Sequence, residues 1–224
     1  MTPSPAPTRL PAAVPLFPLP NAVLFPRCVL PLHIFEDRYK RMAADVLGSH
    51  LQIAMALLER GWEKDYHGRP RVDPVVCVGT ILSHERLPDG RYNFLLQGHT
   101  RARIVREVEG DLPYRQAELE PLVETDTSEA DLADARRQLG ALFERDTYAA
   151  LPGGAQIRQM LAGPYPTAVI ADVLAYNVLA DDHVALKQSL LAQTSVRTRV
   201  ESVVEAVAAL RPAWQNVPSR ASLN

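Results

Sequence analysis

The sequence predicts an α+β protein: a β-rich region running to about residue 124, then a region built only of helices. Up to Glu124 the apolar residues come in short runs bounded by Pro, Gly, Asn and Asp, the pattern of strands and turns. Beyond it they recur every three or four residues behind Ser, Thr and Asp, the pattern of capped amphipathic helices. A single helix interrupts the first region, and no internal repeat is present.

Residues 1–12 are rich in proline and read as a disordered arm. Val14–Leu19 and Cys28–Ile34 read as strands, with Pro20-Asn21 as the turn between them. "EDRYKRMAADVLGS" follows as a helix: Tyr39, Met42, Ala43, Val46 and Leu47 fall on one face, Glu36 and Asp37 suit the positive end of its dipole, and Gly48 suits its C-terminal cap. His50–Glu59 reads as a buried strand and Arg60–Pro74 as a long polar loop. Val75–Leu87 is β-rich, and Gly79 inside it marks a bulge or a close backbone approach. "PDGR" at 88–91 is a hairpin turn, after which "YNFLLQG", "TRARIVREVE" and Tyr114–Leu122 continue as strands.

In the second region Ser128 can cap a helix with Leu132, Ala135, Leu139, Leu142 and Phe143 in one stripe. Gly153-Gly154 breaks the chain before a short helix around Ile157–Leu161. Thr167 can cap a helix that turns Val169, Ile170, Val173, Leu174 and Val178 inward. Asp181 or Asp182 can cap the next, with Leu186, Leu190 and Leu191, and Ser195 the last, with Val196, Val200, Val203, Val204, Val207 and Leu210. Pro212 ends it. The expected division is therefore an arm at 1–12, a β-rich unit at 13–124, a helical unit at 125–212 and a tail at 213–224.

Composition is that of an ordinary globular chain, 47% hydrophobic and 22% charged. A net charge of -2, with lysine only at positions 40, 64 and 187, argues against general affinity for nucleic acid or anionic membranes. The proline-broken N-terminus does not read as a signal peptide, and no apolar run reaches the ~18 residues of a membrane span. A cytoplasmic location is the expectation. Cys28 and Cys77 sit in apolar runs and read as buried free thiols.

Nothing in the spacing of reactive residues points to catalysis. There is no phosphate-binding GxxxxGK[ST], no GxGxxG, no HExxH and no GxSxG. Lys187 and Ser189 are two apart on a helix and face different ways, and Cys28 and His33 are five apart on a strand, on opposite faces. The six histidines form no metal-ligand spacing. No catalytic residue, metal site or cofactor is expected, and the profile is that of a binding module.

The stretch "PLFPLPNAVLFPRCVLPLHIFEDRYKRM" (15–42) resembles the opening of the LON substrate-binding domain, found at the N-terminus of ATP-dependent Lon proteases and as a short stand-alone protein. The resemblance continues in "VGTI" (78–81), "LPDGRYNFLLQGHTRARI" (87–104) and "LADDHVALKQSLLAQTSVRTRVESVV" (179–204), and spans roughly residues 14–211. It implies a PUA-like β-pseudobarrel followed by a helical lobe. Pro18, Pro20, Pro26 and Pro31 would fix bends and edge positions in a coiled sheet, Phe35 would pass the chain to the first helix, and Gly79 and Gly98 would allow close strand passage. Val14 stands where the family usually has Leu, a conservative change. Nothing in the sequence matches the ATPase or Ser–Lys peptidase modules of Lon proteases, so neither activity is expected.

The resemblance implies binding of unfolded or tagged polypeptide on behalf of a protease or chaperone system. The expected contacts are Leu24 and Phe25, provided they are exposed, and Asp37, Arg38 and Arg41 on the first helix, which also read as an ordinary solvated face. RNA binding through Arg101, Arg103 and Arg106 is the alternative by fold analogy, without the interleaved aromatics it would want. A barrel-pocket enzyme is the third.

Overall fold

A computed structural model describes residues 10–65, 68–145, 148, 151, 153–179 and 183–210. The arm up to residue 9, the proposed caps Asp181 and Asp182, and Pro212 with the tail lie outside them. The described chain is α+β: six strands and one helix come first, then five helices. The strands are β1 (Val14–Leu19), β2 (Val29–Ile34), β3 (Gln52–Leu57), β4 (Val75–Arg86), β5 (Tyr92–Val108) and β6 (Gln116–Pro121). The helices are α1 (Asp37–Leu47), α2 (Ala133–Phe143), α3 (Gly154–Ala162), α4 (Thr167–Asn177), α5 (Val184–Ala192) and α6 (Val196–Ala209).

The sheet order is β2-β5-β4-β3-β1-β6, and a further pairing of β5 with β6 closes it. Closure rests on the length of β5. Its first half, Tyr92–Gln97, pairs with β2, and its second half, from Ala102, pairs with β6. The two predicted strands are thus one 17-residue strand. It coils where Gly79 faces Gly98 across the β4–β5 ladder, next to a register shift. Both glycines are needed for the close approach. A Cβ on Gly79 would meet the Gln97 carbonyl oxygen at 2.8 Å, and one on Gly98 would run into the Phe25 carbonyl and the Cys77 sulfur.

Strand alternation builds two cores. Val14 and Leu16, Ala54 and Ala56, Val76 and Val78, Ala102 and Ala117 form a cluster of small side chains in the ring. The alternate residues Phe17, Ile53, Met55, Val75 and Cys77 belong to a larger cluster shared with α1 and the later helices. Tyr39 of α1 meets Phe17 edge-on at 4.5 Å. The α5 side chain Gln188 donates to the Val75 carbonyl at 2.8 Å, tying the helices to β4.

Local signals held where the partner was local. Ser195 accepts the Thr198 N–H and caps α6 as expected. Two expected caps act differently. Ser128 accepts the Asp131 N–H in a turn, and α2 starts only at Ala133. Thr167 is itself the first residue of α4, and the Glu129 carboxylate receives both its N–H (2.9 Å) and its hydroxyl (2.7 Å). A distant acid thus does what the adjacent hydroxyl was expected to do.

Candidate functional site

β2 ends the sheet order and has β5 on one side only. Its register with β5 and β4 puts Val29, Pro31 and His33 on one face with Gln97, Leu95, Asn93, Ser83 and Glu85. The opposite face, with Leu32, Ile34, Phe94 and Leu96, is core. The outward face carries a polar ladder: Arg91 meets His33 Nε2 at 3.1 Å, His33 Nδ1 meets Asn93 at 2.8 Å, and the Asn93 amide donates to Glu85 at 3.1 Å. Around it lie exposed apolar side chains. Phe35 is 61% exposed and stacks on His33, Leu95 is 42% exposed beside Pro31, and Leu82 is 55% exposed at the β4 register shift. A cavity of about 410 Å³ lies between Pro31, His33, Ser83, Glu85, Asn93 and Leu95.

Leu24 and Phe25 do not belong to such a surface. Both are fully buried, and Phe25 lies under the Arg101 guanidinium, 5.9 Å from ring centroid to Cζ. The condition on which they were named as contacts, exposure, is not met: the loop after Asn21 folds inward beneath the helices, and its carbonyl at Phe25 accepts from the Cys28 N–H. On α1, Asp37 pairs with Lys40 at 2.6 Å, Arg38 with Glu36 at 2.9 Å and Arg41 with Asp45 at 3.0 Å. Lys40 holds the Asp37 carboxyl below its usual range. Asp37 and Arg41 are solvent-facing, whereas Arg38 covers the Tyr39 ring and lines a separate cleft of about 230 Å³ with Pro18, Pro20, Trp62, Leu112 and Tyr114. Pro31 lies on the edge strand, where a missing N–H is tolerated and blunts strand addition. Pro18 lies on the half of β1 that pairs with β3 and has passed its short contact with β6. Pro26 precedes Arg27, whose N–H donates to the Gly98 carbonyl at 2.7 Å.

The basic strand proposed for RNA is taken apart by the fold. Arg101 is buried and meets Asp172 at 2.5 Å and Glu124 at 3.2 Å. Arg199, also buried, meets Glu124 at 2.7 Å and Asp172 at 3.2 Å. Burial pushes the Asp172 carboxyl up, against the downward pull of the two guanidiniums. The cluster joins β5, the segment after β6, α4 and α6. Arg106 pairs with Glu118 across the β5–β6 ladder, which leaves Arg103 as the exposed arginine of the three without an ion pair among the described residues.

Burial pushes both thiols, Cys28 and Cys77, up to about 12, which makes them poor nucleophiles. Among the described residues no group of three His, Cys, Asp or Glu side chains could hold a metal ion, and no helix is long and apolar enough to cross a membrane. The exposure of Leu82 and Leu95 was not legible in the sequence because Leu82 follows Ile81 and Leu95 lies between Phe94 and Leu96, and between adjacent apolar residues alternation assigns no face.

The comparisons with known proteins agree with this fold. The family model for the ATP-dependent protease La (LON) substrate-binding domain matches residues 13–209. The Lon protease of Rhizobium meliloti (strain 1021) is 28% identical over 214 residues, covering 91% of this chain and 25% of that protein. Lon protease 2 of Sorangium cellulosum (strain So ce56) is 28% identical over 206 residues, 87% of this chain and 24% of that protein. The chain thus spans about a quarter of the length of these relatives. The solved N-terminal domain of the Mycobacterium avium complex Lon protease superposes with a TM-score of 0.67 at 18% identity, covering 88% of this chain and 99% of that one. A Lon N-terminal domain protein from Xanthomonas campestris gives a TM-score of 0.60 at 22% identity, covering 86% and 97%. The chain belongs to the LON substrate-binding domain family.

Proposed function

We propose that this chain is a polypeptide-binding module and that its docking surface is the outward face of β2, β5 and β4. One observation carries the reading: Leu95 on the outward sheet face, Phe35 just past the end of β2 and Leu82 at the β4 register shift are exposed apolar side chains over a sheet whose other side is core. Exposed apolar side chains around a satisfied polar ladder fit a segment that offers apolar residues and no fixed sequence. In this reading Asp37 and Arg41, exposed on the helix that begins just after Phe35, supply a polar rim, whereas Arg38 lines the separate cleft. Membership of a substrate-binding domain family supports the reading. In it, the module presents unfolded or tagged polypeptide to a protease or chaperone system, without chemistry of its own.

The test is fluorescence anisotropy with a labelled, permanently unfolded polypeptide. The double variant Phe35→Ser, Leu95→Ser should bind at least roughly tenfold more weakly than the wild type, since burying each side chain is worth about 1.5–3 kcal/mol. Unchanged thermal melting of the variant would locate the loss at the surface. Equal binding by variant and wild type would sink this surface.

A further inference from the structure

A second groove lies on the other side of the β2 edge. It has a volume of about 550 Å³ and is lined by Arg27, Cys28 and Val29 on one side and by α3 and α4 on the other, with the Tyr176 hydroxyl of α4 donating to the Val29 carbonyl at 3.0 Å. Its size is that of sites that hold small ligands or side chains. Val169, Val173 and Tyr176 of α4 line one wall, at the spacing of a single helix face. Val169 and Val173 were expected to be core; they are only half-buried because this groove lies over them. Gln156 and Gln159 of α3, three apart and both exposed, line another part with Met160, and Tyr165 is 49% exposed nearby. Asn177, whose side-chain amide donates to the Val173 carbonyl, also lines the groove.

The charge in this groove is one-sided. Its lining contains one cation, Arg27, and no carboxylate. Arg27 is exposed and makes no side-chain hydrogen bond or ion pair among the described residues. It also has a φ of 68°, in the left-handed region that non-glycine residues seldom occupy. Its N–H is held by the Gly98 carbonyl, so the conformation is imposed by the close passage of β5. An unpaired guanidinium on a backbone position where glycine would be easier, beside neutral amides and apolar walls, points to a use for that guanidinium.

We propose that this groove takes the C-terminal end of an extended polypeptide whose last residue is apolar. The Arg27 guanidinium receives the terminal carboxylate, the Val169–Val173–Met160 surface takes the last side chain, and the Gln156, Gln159 and Asn177 amides meet the main chain. An acidic tract would call for several cations, whereas a single guanidinium among neutral amides matches a single carboxylate. This inference rests on the polypeptide-binding reading and names the end of the chain that is bound.

The experiment measures anisotropy for three labelled unfolded peptides: one ending in leucine with a free carboxylate, the same peptide amidated, and the amidated peptide carrying an aspartate next to its end. Each is titrated with the wild type and with Arg27→Gly, which removes the cation and suits the positive φ. The expected result is a roughly tenfold preference of the wild type for the free carboxylate, the scale of one charge-assisted hydrogen bond, and no preference in Arg27→Gly at unchanged melting temperature. Equal binding of free and amidated peptides by the wild type overturns the proposal and leaves the polypeptide-binding reading standing. Tight binding of the aspartate peptide overturns it in favour of an acidic side chain. Binding of none of the three overturns both.

Discussion

Along β1, β3 and β4 the side chains that point into the ring are Val14, Leu16, Ala54, Ala56, Val76 and Val78, while those that point out include Phe17, Ile53, Met55, Val75 and Cys77. The inside is small and apolar because a ring closed by few strands leaves room for little else. The outside meets helices, and there the fold uses aromatics, long aliphatics and the buried cluster of Arg101, Asp172, Arg199 and Glu124. Apolar contacts are non-directional and would let the helices settle in several ways. Guanidinium–carboxylate pairs are directional. The difference teaches that alternation is enough to fill the ring, whereas the seat of the helices on it is defined by charge. That second half is our hypothesis.

It can be broken most directly at Asp172. Asp172→Asn leaves two buried guanidiniums with Glu124 as their remaining acid, and should lower stability by about 3–5 kcal/mol in urea unfolding. The double variant Arg101→Met, Asp172→Leu should cost clearly less than the single one, because it removes charge in pairs. A double variant as damaging as the single one would mean that the cluster adds net stability beyond packing.

The ring is probed at its tightest point. Gly98→Ala forces a Cβ against the Phe25 carbonyl and to 2.9 Å from the Cys77 sulfur, at an expected cost of about 1–3 kcal/mol. Gly140→Ala in α2, with nothing within 4 Å, should have the opposite sign and stabilise by about 0.5–1 kcal/mol. The same denaturation assay reads both; equal effects would remove close packing as the explanation.

Smaller effects report on the seam. Cys28 lies at the edge of the helical lobe and Cys77 on the outer side of β4, and burial holds both thiols near 12. At pH 8 neither should react with a chromogenic disulfide reagent in the native protein, and both should react once it is unfolded. Rapid native labelling would show that the helices lift from the barrel. The weakest expected effect is titration of His50 and His99, which burial holds below the usual 6.5. His50 Nδ1 accepts the Gln52 N–H and must stay unprotonated to do so. The unfolded chain takes up the proton first, so stability should decline as pH falls below 6.5 and level off below the native values. A melting temperature flat from pH 7 to pH 5 would contradict this.

The strand and helix inventory was legible because periodicity is local: β1 and α1 could be read from Val14–Leu19 and from the Tyr39–Met42–Val46 face. Exposure in the proline-rich stretch was not legible. Leu24 and Phe25 look like a loop tip, but the later helices cover them, while Phe35, expected only to pass the chain to α1, is open to solvent. Arg101 and Arg103 look alike in "TRARIV", yet one is buried against Asp172, 71 residues away, and the other is exposed.

By itself, then, the sequence determined the α+β order, the family to which the chain belongs and the alternation that fills the ring, because each is written in residues that lie close together. The tertiary structure alone decided that β5 closes the sheet, that Glu129 caps α4, that Arg101 is buried in a charge cluster and that Phe35, Leu95 and Arg27 are left facing outward. Those outcomes depend on which distant segments come to lie over a residue, and the spacing of its neighbours holds no record of that.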